Sequence, residues 1–367
     1  MRYRVTSLTP LLVGDGQRLS PIDYMVWKDH VNVLDQTRIF KLLAKGPRLE
    51  GYLTQLKRAD KLDFASWGGF AQNFADRRIP FEHPSSSKYW DRATGESVHI
   101  PTFASGLHGP YLPGSALKGA LRTGVLYASV RDGSLKSVLE RFEGDRPPRH
   151  PAEALEDDVL GRAGNSRMRF VRTGDSKPVD RSMMKVYLLR LSTIVSQKGP
   201  AWTLGWKQSP RGAVDSRRIE DSTPWFAEMA APGSTFEGDW QERSSNSRAK
   251  IFQGVNQYSA AVLKLHQQYA EAIGLAAVGE AASQLIGRIA GLQSEHACLL
   301  PLGWGGGLFS KTAWVEKDSD DYRTILGKLP FYSRAISSGL PFPKTRRIVF
   351  EGDRPSTLPG WVLLEIA

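Results

Sequence analysis

The eleven residues 113–123, PGSALKGALRT, limit the possible folds of this chain more than any other segment. Pro113-Gly114 ends any strand that precedes it, and Ser115 is a favourable N-cap because its hydroxyl accepts a hydrogen bond from a first-turn amide. Apolar residues then recur at helical spacing; they are Ala116, Leu117, Ala120 and Leu121. The segment therefore predicts a helix over residues 115–130 with one buried face.

Two cations, Lys118 and Arg122, lie four residues apart on another face of this predicted helix. The first-turn amides and the helix dipole favour an anion at a helix N-terminus, so this segment is suited to hold phosphate. An ordinary capped amphipathic helix with solvated cations explains the same residues. The segment alone leaves both interpretations open.

The charge balance favours a polyanionic partner. Lys plus Arg number 49 and Asp plus Glu number 38, which gives a net charge of +11. The 10 Trp, 11 Tyr and 15 Phe offer stacking surfaces for unpaired bases, although most are expected in the core. Cationic surface with aromatic residues is typical of proteins that bind single-stranded nucleic acid.

The single cysteine, Cys298, excludes an internal disulfide framework and a cysteine-rich zinc site. The first residues, MRYRVTSLTPLLVGDG, lack the long apolar stretch of a signal peptide. No run approaches the roughly 18 apolar residues of a membrane span. We therefore expect a soluble cytoplasmic protein without a membrane partner.

The first part of the chain predicts an α+β unit with an antiparallel sheet. Residues 2–13 alternate like a strand and end at Gly14-Asp15-Gly16. Residues 24–34 predict a hairpin that turns near Lys28-Asp29, and Asp35 then caps a short helix over 36–43.

Further along the chain, compositional breaks mark insertions and later elements. Residues 45–110 and 131–165 are expected to be insertions rather than core sheet. Residues 226–240 predict a strand pair around Pro232-Gly233, and 257–293 predict two helices with a break near Gly279. The last residues, from Arg346, predict a closing strand, a turn and a final strand.

Residues 162–190 carry eight cations against two carboxylates, a net charge of +6 in 29 residues. Parts of this stretch alternate like strands, which can place cations on one face and apolar residues on the other. Its density of arginine favours an RNA-facing surface over an ordinary solvated face. The cations are Arg162, Arg167, Arg169, Arg172, Lys177, Arg181, Lys185 and Arg190.

A second glycine-rich element, LGWGGGLFSK, lies late in the chain. Gly303, Gly305, Gly306 and Gly307 surround Trp304, and Lys311 follows. Such a density of glycine indicates left-handed backbone or close approach of the backbone to a ligand. The element matches neither a Rossmann fingerprint nor a Walker loop.

A first strand ending in VGDG, a central PGSALKGALRT and a late LGWGGGLFSKT together resemble the repeat-associated mysterious protein (RAMP) superfamily of CRISPR systems. Four further segments resemble its Csm-type subunits, which cap the 3′ end of the CRISPR RNA in type III-A effector complexes. They are TPLLVGDGQRLSPIDYMV, VRTGDSKPVD, AAPGSTFEGDW and TRRIVFEGDRPSTLPGWVLLEI.

The resemblance implies an α+β fold of two tandem ferredoxin-like (RRM-like) domains with antiparallel sheets, glycine-rich loops and loop or helical insertions. The first would span 1–185, with insertions at about 45–110 and 131–165, and the second 186–367. It also implies an RNA-contacting set, carried over by position. This set is Gly14, Gly16, Ser115, Lys118, Gly119, Arg122, Gly305, Gly306, Gly307 and Lys311.

The implied function is a non-catalytic, CRISPR-RNA-binding subunit that ends a filament of RAMP backbone subunits, supports maturation of the RNA 3′ end and serves antiviral defence. Its implied partners are the CRISPR RNA, the backbone and small subunits of the effector complex, target RNA indirectly, and recruited host nucleases. The resemblance implies no cofactor and no resident metal.

Two enzymatic alternatives and one binding alternative stay open. Asp23 lies where related backbone subunits carry a target-cleaving aspartate, although it equally fits a turn cap. His108 is the histidine nearest the central motif, as a repeat-processing endoribonuclease would require. A general single-strand-binding protein outside CRISPR biology would bind RNA and DNA alike.

Overall fold

The structure is a computed structural model that describes residues 1–58, 60–63, 70–131, 133–144, 149–198, 201–208, 215–243, 245–315 and 320–366. In chain order the strands are β1 (Arg2–Ser7), β2 (Arg18–Leu19), β3 (Tyr24–Trp27), β4 (His30–Leu34), β5 (Ala75–Pro80), β6 (Ile100–Pro101), β7 (Ser105–Gly106), β8 (Gly109–Pro110), β9 (Val171–Ser176), β10 (Met184–Lys198), β11 (Ala201–Lys207), β12 (Asp215–Ser216), β13 (Trp225–Ala230), β14 (Thr235–Glu242), β15 (Ala297–Pro301), β16 (Thr345–Glu351), β17 (Arg354–Thr357) and β18 (Trp361–Ile366).

The helices alternate with these strands along the chain. In chain order they are α1 (Gln36–Leu43), α2 (Leu49–Arg58), α3 (Phe70–Asn73), α4 (Ser85–Arg92), α5 (Gly114–Ser129), α6 (Lys136–Glu140), α7 (Glu153–Leu160), α8 (Ser245–Ile273), α9 (Ala276–Ala290), α10 (Asp320–Lys328) and α11 (Pro330–Ile336). Helices α3, α5, α8 and α9 pack against strands. None of the described helices is both long and apolar enough to cross a lipid bilayer.

Two antiparallel sheets form the body of the protein. Sheet one has the order β15-β18-β1-β14-β9, and sheet two has the order β12-β11-β10-β16-β17 with β13 also paired to β10. Alternation along β1 buries Tyr3, Val5 and Ser7, as a half-buried strand requires, and Tyr3 and Val5 share a core cluster with residues of α5 and α8. This confirms the predicted α+β class with antiparallel sheets.

The predicted division at residues 185 and 186 does not follow the strand pairing. Strand β10 runs through that point, from Met184 to Lys198. Strand β1 pairs with β14 and β18, which both belong to the second half of the chain. Two distant segments therefore complete the sheet that the N-terminal residues begin.

The first insertion adds β5 to the hairpin β3–β4, and the three strands form a third sheet with its own small core around Ile39, Tyr52 and Phe70. Part of it, residues 59 and 64–69, lies outside the described residues. The hairpin turns at Lys28 and Asp29, whose φ values of 46° and 58° suit a tight two-residue turn. The Asp35 side chain caps α1 by accepting the Arg38 amide, as predicted.

Strand β5 was not predicted because half of its residues, ADRRIP, are charged. One of these charges points inward. Both Arg77 guanidinium nitrogens donate to the Glu228 carboxylate of β13, at 2.6 and 3.2 Å. The Glu228 side chain is fully buried, and this burial raises its pKa despite the Arg77 charge. The ion pair fastens the third sheet to sheet two.

Two boundaries differ from those predicted. Helices α8 and α9 are separated at Gly274, where φ is +77°, and not near Gly279, which lies buried within α9. Strands β13 and β14 do follow one another around Pro232-Gly233, but they enter different sheets and do not pair. Local turn signals located the break between these strands but not their partners.

Candidate nucleic-acid interface

Helix α5 begins at Gly114, which lies directly against the middle of strand β9. A Cβ at Gly114 would be 2.4 Å from the Thr173 carbonyl oxygen and 2.5 Å from that of Gly174. The Thr173 hydroxyl donates to the Gly114 carbonyl at 2.7 Å. Glycine is required here because two backbone segments meet with no space for a side chain.

The N-terminus of α5 is capped by a carboxylate from β9, and not by Ser115 as predicted. The Gly114 amide donates to Asp175 Oδ1 at 2.8 Å, while Ser115 is exposed within the first turn. Asp175 therefore occupies the positive end of the helix dipole. The Gly114 amide is thus already engaged, and a carboxylate at this end disfavours a further anion there; phosphate contact by this helix stays a prediction.

The outward face of α5 carries the predicted cations. Lys118 is half-buried and Gly119 is exposed, with no atom of the protein within 4 Å of where a Gly119 Cβ would lie. Arg122 is paired with Glu156 of α7 at 2.5 Å, and its side chain is 41% exposed. Lys118 is thus the more available of the two cations, beside an open stretch of helix backbone.

Helix α5 is anchored from behind by α8. Leu117 and Leu121 are fully buried, and a Cβ at Gly124 would lie 2.5 Å from Val255 Cγ2. Gly254 of α8 faces the same crossing, where its Cβ would be 3.2 Å from the Gly124 carbonyl oxygen. Small residues on both helices bring the backbones together and fix the face that Lys118 presents.

The two glycine-rich turns meet, although they lie almost 300 residues apart in the sequence. The Trp304 amide donates to the Leu12 carbonyl at 2.7 Å. A Cβ at Gly303, where φ is +76°, would lie 2.2 Å from that same oxygen. The late turn is thus packed directly on the segment that leads into Gly14 and Gly16.

The predicted glycines differ in how much space surrounds them. A Cβ at Gly14 would lie 3.0 Å from the Thr102 carbonyl oxygen. A Cβ at Gly16, where φ is +92°, would meet no atom within 4 Å. In the late turn, Gly307 also has open space, at a φ of +69°. The left-handed backbone explains why glycine is needed at Gly16 and Gly307 without any ligand.

Hydrogen bonds connect the early turn to the start of α5. The Ala104 amide donates to the Val13 carbonyl, and the Tyr111 amide donates to the Ala104 carbonyl, both at 2.9 Å. The Leu112 amide then donates to the Ser176 hydroxyl at 2.8 Å. The first turn, the late turn and the entry to α5 therefore belong to one bonded frame.

The cationic stretch 162–190 divides into surface and core. Most of its cations are exposed: Arg162, Arg167, Arg169, Arg172, Lys177 and Arg181. Arg190 is only 1% exposed, and its Nη1 donates to the Ser222 carbonyl at 2.6 Å. Arg190 is therefore a core residue, which corrects its placement on the RNA-facing surface.

The catalytic candidates occupy ordinary structural positions. The Asp23 carboxylate accepts the Ser20 amide at 2.7 Å, and so closes a turn before β3. His108 is exposed at the turn of the β7–β8 hairpin, beside Leu107. Within the described ranges, no group of three His, Cys, Asp or Glu side chains is placed to hold a metal ion.

Sequence analysis missed two arginines beside the late glycine turn. The Arg347 guanidinium lies 4.4 Å from the centre of the Trp304 ring, and burial lowers its pKa. The neighbouring Arg346 is buried, and its Nε donates to His266 Nδ1 at 2.9 Å. The sequence TRRIVF predicts a strand, but only the pairing of β16 within sheet two shows what the side chains of the two arginines face.

Two solved structures resemble this protein over almost the whole chain. One chain of a cryo-EM structure of a Csm–crRNA–target RNA ternary complex from a type III-A CRISPR–Cas system matches with a TM-score of 0.68 and 21% identity, covering 100% of both chains. A crystal structure of T. onnurineus Csm5 matches with a TM-score of 0.64 and 18% identity, covering 98% of this chain and 99% of that one. These likenesses establish a shared fold.

Sequence comparisons agree. A Methanocaldococcus jannaschii protein described as "CRISPR system Cms protein Csm5" is 18% identical over 399 residues, covering 100% of this chain and 89% of that protein. The family model of the RAMP superfamily matches residues 4–264, well over half of the sequence. The chain therefore belongs to the RAMP superfamily, as the resemblance of its glycine-rich turns and central helix predicted.

Proposed function

We propose that the protein is a CRISPR-RNA-binding subunit of a type III-A effector complex. The observation that carries this is the bonded frame that joins both glycine turns to the entry of α5, since the RAMP resemblance assigns RNA contact to these elements. The full-length likeness to Csm5 and to a chain of a Csm–crRNA–target RNA complex supports it.

Several finer features belong to the same proposal. The protein caps the backbone filament at the RNA 3′ end, contacts other RAMP subunits, and supports 3′ maturation through recruited nucleases in the cytoplasm without chemistry of its own. Sheets one and two each correspond to a ferredoxin-like (RRM-like) unit, between which the chain passes. The exposed arginines of 162–181 support the RNA contact through charge.

The test is to tag the chain, purify it from its native host, and sequence the RNA and identify the proteins that copurify. We expect CRISPR-derived RNA together with other RAMP subunits, with the 3′ part of the RNA protected from nuclease. Mixed cellular RNA without those subunits would contradict the proposal and favour a general single-strand-binding protein.

Lys118→Ala is expected to weaken RNA binding and to reduce the slope of log K against log salt by about 0.7, the value for one phosphate contact on a single strand. In the double variant Lys118→Ala/Arg122→Ala, the slope falls by at most the amount expected for about two phosphate contacts. The contribution of Arg122 is the smaller one because Glu156 already engages it. Binding is measured across a salt series. Lys41→Ala, on the exposed side of α1, is the matched control; an unchanged slope in Lys118→Ala would show that this cation only solubilises the helix.

Asp23→Ala is expected to leave both RNA affinity and RNA products unchanged, because the carboxylate serves a turn. The measurement is a gel of labelled CRISPR repeat and target RNA incubated with the assembled complex, with and without divalent metal. His108→Ala is assayed beside it. A specific cut that either substitution abolishes would replace the non-catalytic proposal with the RAMP-type endoribonuclease.

A further inference from the structure

A cavity of about 650 Å³ lies between the late glycine turn, strand β16 and helix α11. This volume falls within the range of small-molecule binding pockets. Gly305–Gly307 and Lys311, which belong to the RNA-contacting set implied above, form part of its lining, and the rest of the lining lies outside that set. Its lining combines cationic, aromatic and glycine residues.

The lining is positively charged without compensation. It includes Lys311, Lys344, Arg346 and Arg347, and no Asp or Glu is found among its described residues. Arg346 is rigidly held, because Nη1 donates to the Pro343 carbonyl at 2.7 Å while Nε donates to His266. A cavity with four cations and no carboxylate favours an anionic ligand.

The mouth of the cavity carries an aromatic cluster. Phe331 is 85% exposed, which is unusual for a large apolar side chain that serves the core. Its ring is edge-on to Tyr332 at 4.9 Å, and Tyr332 is edge-on to Phe342 at 5.4 Å. Trp304 adds a fourth ring, covered on one side by Arg347. Rings presented in this way are suited to stack on a planar base.

The glycine turn leaves room for a phosphate beside these rings. A Cβ at Gly305 would lie 2.6 Å from Pro359 Cγ, so a larger residue would press into the cavity wall. Gly307 has no neighbouring atom within 4 Å of its Cβ position, so its backbone is open to a ligand. Backbone amides and lysine side chains are both common phosphate partners.

We propose that this cavity holds one nucleotide unit, its base stacked at Phe331 and its phosphate held by Lys311, Lys344 and the glycine turn. The nucleotide is an unpaired residue of the bound RNA, which rests on the function proposed above. A free nucleotide offers the same chemistry, and the experiment separates the two sources.

The test uses the full-length protein and a series of single-stranded RNAs that each carry 2-aminopurine at one position, whose fluorescence is quenched by stacking. We expect strong quenching at one position only. Phe331→Ala removes that quenching and lowers affinity by about 5-fold or more, and Lys344→Ala lowers affinity without removing the stack. Phe40→Ala, a partly exposed phenylalanine on α1, is the matched control.

The outcomes separate this site from the general function. Wild-type RNA binding without position-specific quenching, or quenching that persists in Phe331→Ala, overturns the cavity and leaves the proposed function standing. If RNA does not bind at all, calorimetry with AMP and UMP decides: uptake lost in Phe331→Ala assigns the cavity to a free nucleotide, and no uptake overturns both proposals. A substitution that only weakens association with other subunits reassigns Phe331 to a protein interface and overturns the cavity.

Discussion

Arg77→Leu is expected to lower the free energy of unfolding by about 3–5 kcal/mol, because it leaves the Glu228 carboxylate buried without its partner. The Glu228 side chain has no solvent exposure, and its two oxygens accept both Arg77 nitrogens. Urea denaturation followed by circular dichroism measures the loss. The double variant Arg77→Leu/Glu228→Leu is the control, and we expect it to recover most of the lost stability because an apolar pair needs no compensation.

The defect of Arg77→Leu should also depend on pH. Burial raises the pKa of Glu228 in the folded protein, so the folded state takes up a proton more readily than the unfolded chain does. The protonated Glu228 carboxyl is the form that burial favours, so its contribution to the stability of the folded protein is present at low pH. That contribution is lost as the pH rises through the raised pKa of Glu228. We therefore expect a smaller defect at pH 5 than at pH 7.5. An equal defect at both values, or one below about 1 kcal/mol, would show that water reaches the carboxylate.

Gly114→Ala is expected to destabilise the protein by about 3 kcal/mol and to displace the first turn of α5, because its methyl group would collide with two backbone carbonyls of β9. Neither carbonyl can rotate away, since Thr173 is paired with Trp240 of β14 and the Gly174 carbonyl accepts the Tyr3 hydroxyl at 2.9 Å. RNA affinity should fall as well, measured at a temperature where the variant remains folded, because Lys118 is carried by the displaced helix.

Ser115→Ala is the matched control for Gly114→Ala, since Ser115 is the next residue and its side chain is exposed. Its effect on stability should remain within about 0.5 kcal/mol. A Ser115→Ala defect as large as that of Gly114→Ala would restore Ser115 as the functional cap and contradict the role found for Asp175.

Features governed by neighbouring residues could be predicted from the sequence. The Lys28-Asp29 turn and the Asp35 cap each depend on contacts within a few positions, and both are confirmed. The extent of α5 was also predicted to within one residue at each end. Periodicity and turn chemistry suffice for elements of this kind.

Features that depend on distant partners could not be predicted in this way. The cap of α5 comes from Asp175, 61 residues further along the chain. Arg190 and Arg77 are both arginines on strands, yet each reaches an inward partner that only the fold supplies. For the site, the family resemblance identified both glycine turns, but their contact through Leu12 and Trp304 follows from sheet pairing that no local pattern encodes.

The position of β1 within sheet one has a consequence for the synthesis of the protein. Residues 2–7 leave the ribosome well before both of their neighbouring strands, which are residues 235–242 and 361–366. Until translation has passed residue 366, one edge of β1 has no partner and its apolar side chains lack their full cover. Such long-range closure slows folding and leaves an aggregation-prone edge exposed. Sheet one can therefore close only after the segment that forms β18 has been synthesised.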